Sequence, residues 1–217
     1  MYSNGPKIVT DGLALCLDAG NAKSYPGTGT IWTDISRNNR DATLINGPTF
    51  SSDNYGGIIF DGTNDYATVT LSSEANYSLS FWLYVTSLPA SGEEQVFDPA
   101  GIGAGSVSLL FSSGAWKWHS WNGTASRIGN TVFTGRWYNF VMTTAVTATN
   151  FFINGVLDSQ FVNGTSLVGG QGALFSVKGG GTRNLNGVLS SFLMYNKALS
   201  ASEILQNYNA TKGRFKL

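Results

Sequence analysis

The run GVLSSFLMYNKALSASEILQNYN, residues 187–209, passes from an apolar strand into a helix whose start signals can all be named. From Val188 to Tyr195 both alternating faces are largely apolar, with Val188, Phe192 and Met194 on one and Leu189, Leu193 and Tyr195 on the other. A strand apolar on both faces belongs inside a sheet that is covered twice. Beyond Asn196-Lys197-Ala198 stands Ser200, with Glu203 three residues on. Hydroxyl and carboxylate can then each satisfy a free backbone N–H at a helix start, and Leu199 and Ile204 flank the box as a hydrophobic staple. Ile204, Leu205 and Tyr208 share one helical face, and Gly213 offers a stop. This helix is expected to be a lid on the edge of a large β core.

Outward from that run the chain is a rhythm of short strands and turns. Tyr77 to Val85 carries Leu79, Phe81, Leu83 and Val85 on one face and Ser78, Ser80, Trp82 and Tyr84 on the other, which places it near the centre of a sheet. Alternation or apolar runs mark further strands from Leu13 onward, and Asn154-Gly155 between Ile153 and Val156 is the best hairpin signal, since both residues tolerate positive φ. Roughly thirteen strands and one helix result, an all-β pattern in which two sheets cover one another. GIGAGS, residues 101–106, lacks the spacing of a dinucleotide fingerprint and precedes no helix.

A chain of 217 residues fits one sandwich, since all-β units often reach roughly 200–250 residues. Charged residues make 12%, against about 25% in ordinary domains. The surface must therefore be rich in Ser, Thr, Asn and Gly, which suits close contact with protein or sugar. Thirteen Lys and Arg balance thirteen Asp and Glu, so no net charge draws the chain to nucleic acid or anionic lipid. Cys16 is the single cysteine, which excludes an internal disulfide and a cysteine zinc site. The first residues lack the pattern of a secretory leader, and no apolar run approaches about 18 residues. A soluble product of the cytoplasm is expected.

Several runs together resemble the concanavalin A-like jelly-roll domains of the laminin-G-like group, as found in structural proteins of marine bacteriophages. They are GLALCLDAGNAKSYPGTGTIWTDIS, FDGTNDYATV, YSLSFWLYV, RWYNFVM with FFINGVLDS, and NLNGVLSSFLMYNKALSASEILQNYNATKGRF, and they span nearly the whole chain. The resemblance implies one two-sheet antiparallel jelly-roll domain over residues 1–217, with an arm at 1–11, one short C-terminal helix and a tail at 210–217. It also implies a bacteriophage virion component, made in the host cytoplasm and displayed on the virion surface. Such a capsid or tail decoration, or fibre-associated protein, would be held by contacts with other virion proteins, as a homo-oligomer or on a symmetric particle. Arg214, Phe215, Lys216 and Leu217 are the candidate anchor, because Phe215 and Leu217 alternate with basic residues; a solvated tail is the equal alternative. No cofactor is expected.

Members of the wider fold often hold a structural Ca²⁺, and Asp18, Asp34 and Asp41 could supply oxygens. Against this, short aspartates cap turns in any β protein, and Arg37 and Arg40 would repel a cation. A glycosidase needs two carboxylates across the sugar. Among the four glutamates, Glu203 is committed to the helix start and no acids alternate on one strand face, so no enzyme is expected. A lectin-like adhesin for host surface glycan is the alternative to the scaffold. Trp121, sharing a strand face with His119 and Lys117, is its candidate platform, whereas Trp32, Trp82 and Trp137 read as structural.

Overall fold

The computed structural model describes residues 6–88, 92–99, 108–112, 117–121, 126–145, 147–162, 166–176 and 183–217; the side chains of 108, 110, 117–121 and 126–127 lie outside that description. Strands are numbered in chain order. Asn186–Tyr195 (β16) lies inside a sheet, where its two apolar faces require it to be. Along one side it pairs with β7 (Tyr77–Val85); on the other, β5 (Gly57–Asp61) pairs with its first half and β1 (Leu13–Asp18) with its second. This first sheet continues past β7 through β12 (Trp137–Ala145), β13 (Ala148–Ile153) and β14 (Val156–Val162), and past β5 to β4 (Thr49–Ser51). The second sheet runs β11 (Ser126–Thr131), β10 (Lys117–Trp121), β9 (Ser108–Ser112), β8 (Glu93–Asp98), β15 (Gly170–Leu174), β6 (Tyr66–Leu71), β3 (Ala42–Ile45) and β2 (Ile31–Trp32). The ladders between these strands are antiparallel, so the chain is the expected two-sheet antiparallel sandwich. The GIGAGS run, residues 101–106, lies outside the described residues.

Leu79, Phe81, Leu83 and Val85 of β7 all face the space between the sheets and are buried there. Aromatic rings bridge the two layers: Phe111 meets Phe140 at 5.9 Å, Phe97 meets Phe192 at 5.4 Å and Phe60 stacks on Phe175 at 4.3 Å. Burying each such side chain stabilises the fold by about 1.5–3 kcal/mol. β16 departs from simple alternation. Its register against β7 shifts between Leu189 and Ser191, so Leu189, not Val188, joins Phe192 and Met194 in the core. Val188 is thereby turned to the outer face.

A second apolar cluster covers that outer face. Val9, Cys16, Val141, Phe152, Leu193, Tyr195, Leu199 and Ile204 pack together beneath α1 (Ala201–Thr211). The capping box forms as expected: Ser200 Oγ accepts from the Glu203 N–H at 3.3 Å, and Glu203 Oε2 accepts from the Ser200 N–H at 2.8 Å. Three expectations need correction. The helix lies on the outer face of the first sheet rather than at its edge. Leu205 is 47% exposed, and Asn207 takes the buried place, accepting from the Val9 N–H at 2.7 Å and donating to Tyr195 Oη at 3.1 Å. Gly213 does not stop the chain, because a 3-10 turn, Lys212–Phe215, runs through it and Lys216 adopts the left-handed conformation (φ 59°) that ends it. The described part of the arm, from residue 6, and the tail are thus docked on the sheet, with Val9 and Phe215 both buried.

Candidate functional site

Four side chains from four neighbouring strands form one row across the outer face of the first sheet. Ile59 of β5 pairs with Val188 of β16, Val188 with Tyr84 of β7, and Tyr84 with Trp137 of β12. The next row is sealed, because Trp82 is buried under Phe215 at 4.1 Å and Tyr208 at 5.8 Å and donates from Nε1 to Thr211 Oγ1. Coverage by the C-terminal turn ends there, and the row beyond it is the floor of a groove of about 320 Å³. The Tyr84 and Trp137 rings lie 5.6 Å apart and tilted by 59°, while Phe215 supports Trp137 at 4.6 Å. A small apolar cradle with two aromatic rings results.

One wall of the groove is polar: Ser51, Asp53 and Asn54 line it from the end of β4 and the 3-10 turn Asp53–Tyr55. The turn is built from unusual backbone, with Asn54 at φ 51°, Tyr55 at φ 65° and Gly56 at φ 121°. A Cβ on Gly56 would meet the Ala19 carbonyl oxygen at 2.6 Å, so only glycine lets the turn approach β1. It is pinned from below. Ser190 Oγ donates to the Gly56 carbonyl at 2.7 Å, and Arg214 holds Ser190 Oγ and Asp18 Oδ1 through Nη2 and Nη1, each at 2.8 Å. On the far side of the turn, Tyr55, 73% exposed, faces a second hollow of about 410 Å³ with Asp18, Gly20, Asn21, Ala22 and Arg214. A larger hollow of about 530 Å³ at Thr86, Ser87, Leu88, Val132, Phe133, Thr134 and Arg136 offers less, because the Arg136 guanidinium sits 5.4 Å over the Phe133 ring.

The residues singled out in the sequence lie elsewhere. Lys117, His119 and Trp121 are on β10, in the second sheet, with side chains outside the described residues. Of the tail residues, Arg214 serves the network just described and Phe215 is 5% exposed between Trp82 and Trp137, so neither projects as an anchor; Lys216 and Leu217 follow at the exposed end. The three aspartates do not fit a cation. Asp34 accepts from the N–H groups of Cys16, Ser36 and Arg40 and from Ser36 Oγ, Asp41 Oδ1 accepts from the Asp34 N–H, and Asp18 is held by Arg214 and the Gly20 N–H. Donors thus occupy oxygens that Ca²⁺ would need in sets of six to eight. Among the described residues no group of three or more His, Cys, Asp or Glu could hold a metal ion, and no helix is long and apolar enough to cross a membrane.

Trp32 and Trp82 are core residues, as expected, but Trp137 is half-buried and lines the groove. Tyr84, Asp53, Asn54 and Tyr55 went unmarked in the sequence. One signal was there for Tyr84, which alternation had already placed on the face of β7 away from the core.

No curated protein matches the chain in sequence. In three dimensions it is similar to the Trypanosoma rangeli sialidase solved in complex with sialic acid, with a TM-score of 0.71, 17% identity, and coverage of 98% of this chain and 36% of the sialidase. It is also similar to the binding domain of botulinum neurotoxin serotype D (TM-score 0.71, 17% identity, 92% of this chain and 52% of that one). The receptor-binding domain of the C/D mosaic neurotoxin is similar too (TM-score 0.70, 18% identity, 92% and 51%). The chain therefore spans about a third of the sialidase and about half of the neurotoxin domains. At such identities the likeness is one of fold. In sequence, the laminin G model described as the concanavalin A-like lectin/glucanases superfamily matches residues 61–205, more than half of the chain, and the chain belongs to that family.

Proposed function

We propose that the chain is a non-enzymatic, lectin-like carbohydrate-binding domain whose site is the Tyr84–Trp137 groove. The observation that carries this reading is the row Ile59–Val188–Tyr84–Trp137 against a wall of hydroxyl, carboxylate and amide. Aromatic faces take the apolar side of a pyranose, and fixed polar groups at the rim orient its hydroxyls. Among the described residues that line the groove Asp53 is the single carboxylate, whereas glycoside hydrolysis uses two. Membership in a lectin and glucanase family supports the same ligand class.

The reading is tested on a glycan array with two variants. Trp137→Ala removes the platform; Asn54→Gly removes the rim amide while keeping a residue that accepts φ 51°. Both should abolish or sharply weaken binding with the thermal midpoint of Asn54→Gly little changed. Undiminished binding by Trp137→Ala would sink the assignment. Release of reducing sugar from a bound polysaccharide would overturn the non-enzymatic part.

The setting we propose is the one implied by the sequence resemblance, a bacteriophage virion surface where the domain is held by protein contacts and touches host glycan. A surface poor in charged residues supports it, since such residues are depleted at the core of interfaces. With Arg214 and Phe215 held in the fold, Lys216 and Leu217 are the tail candidates left exposed for such a contact. Absence of the chain from purified particles by mass spectrometry would remove the virion setting and leave the sugar site standing.

A further inference from the structure

We propose that the groove and the hollow beyond the Asp53–Tyr55 turn are two subsites of one extended site for a neutral oligosaccharide, with Tyr55 as the second aromatic platform. The inference rests on the sugar-binding reading and says what length and charge of glycan the site takes. The two hollows share a single wall: Asp53 and Asn54 face the Tyr84–Trp137 groove, and Tyr55, next in the chain, faces the other. At about 320 and 410 Å³, each lies at the small end of ligand sites, roughly 300–1,000 Å³. Neither encloses a long glycan; together they accommodate a chain bent over the turn.

Tyr55 is a large ring left 73% exposed on a left-handed backbone that a β-unbranched aromatic adopts only under strain. The backbone that carries the ring is nevertheless anchored, because Ser190 Oγ bonds the Gly56 carbonyl and Arg214 holds Ser190 Oγ. Charge fixes the ligand class. Among the described residues the groove is lined by one carboxylate and no cation, and the Arg214 guanidinium in the second hollow is paired with Asp18 at 2.8 Å. An acidic sugar would meet Asp53 without a compensating free cation, whereas a neutral one meets aromatic faces, amides and hydroxyls from both sides.

The test is an array printed with neutral and acidic oligosaccharides of two to eight units, probed with wild type, Tyr55→Ala, Tyr55→Phe and Trp137→Ala. Wild type should bind neutral glycans, more strongly as the chain lengthens. Tyr55→Ala should lower binding of the long chains roughly tenfold, the equivalent of about 1.4 kcal/mol, while leaving disaccharides unchanged. Tyr55→Phe should restore the long-chain gain, and Trp137→Ala should weaken short and long chains alike. A preference for acidic glycans, long-chain binding indifferent to Tyr55→Ala, or equal loss on short and long chains would overturn the second subsite while the first stands. No binding by wild type, or binding indifferent to Trp137→Ala, would instead overturn the parent reading and this one with it.

Discussion

Tyr55 carries a ring that buries little and a backbone angle that an L side chain resists, so its effect on stability is separable from its effect on binding. The left-handed conformation costs an ordinary residue about 1–2 kcal/mol, and asparagine tolerates it better because its short amide bonds locally. Tyr55→Asn should therefore raise the unfolding free energy by about 1 kcal/mol, seen as a higher urea midpoint; a lower midpoint would show that the ring is structural. Glu94 makes a different point about the same scale. It stands opposite Phe111 on β9, and its Oε2 is buried with no hydrogen-bond partner among the described residues. Burial pushes the carboxyl from 4.5 up to about 7. The folded chain then binds this proton more tightly than the unfolded chain, so the favourable term is full below about pH 4.5 and fades as the pH rises to about 7. Glu94→Gln should lose that dependence. The gap in thermal midpoint between variant and wild type should open across this window in favour of the variant and stay level above it.

The C-terminal helix and its 3-10 extension show which features of an element are local. The capping box is written in four consecutive residues, Ser200 to Glu203, and forms as the sequence predicts. Lys197 and then the Ser200 N–H hold the Glu203 carboxylate down to about 2, a contribution present above about pH 4.5 and lost as the pH falls toward 2. Ser200→Ala should cost about 1 kcal/mol at neutral pH. The helix end is not local. Gly213 looks like a stop, yet the chain continues because Phe215 reaches a slot between Trp82 and Trp137, residues contributed by two strands far back in the chain. Phe215→Ala should accordingly destabilise by about 3 kcal/mol or more. Deleting 212–217 should lower the midpoint further and shift tryptophan emission to the red as both indoles meet water. An unchanged midpoint would return the segment to the status of a solvated tail.

Across the whole molecule, alternation reveals the layers and misses what registers between them. β7 was legible because the side-chain period of two and the burial of Leu79, Phe81, Leu83 and Val85 coincide. Val188 was placed on the wrong face because the bulge after Leu189 is set by pairing with β7, not by any residue nearby. The groove was hidden for the same reason: Ile59, Val188, Tyr84 and Trp137 become neighbours only through the strand order β5–β16–β7–β12. That order also ties the two apolar clusters together, since β16 and β12 each line both. Exposing the outer cluster would release side chains worth about 1.5–3 kcal/mol each, on the order of 10–20 kcal/mol together. A domain's whole stability is about 5–15 kcal/mol, so the helix has no cheap way to lift off alone. Cys16 reports on this directly, being the single cysteine and buried in that cluster, where burial and then Asp18 and Asp34 push its thiol up to about 12. Its modification by a thiol reagent should proceed only through global unfolding, with a rate that rises with urea as steeply as the equilibrium transition does. A labelling rate indifferent to urea would mean that the helix opens by itself and that the outer cluster is a separate unit.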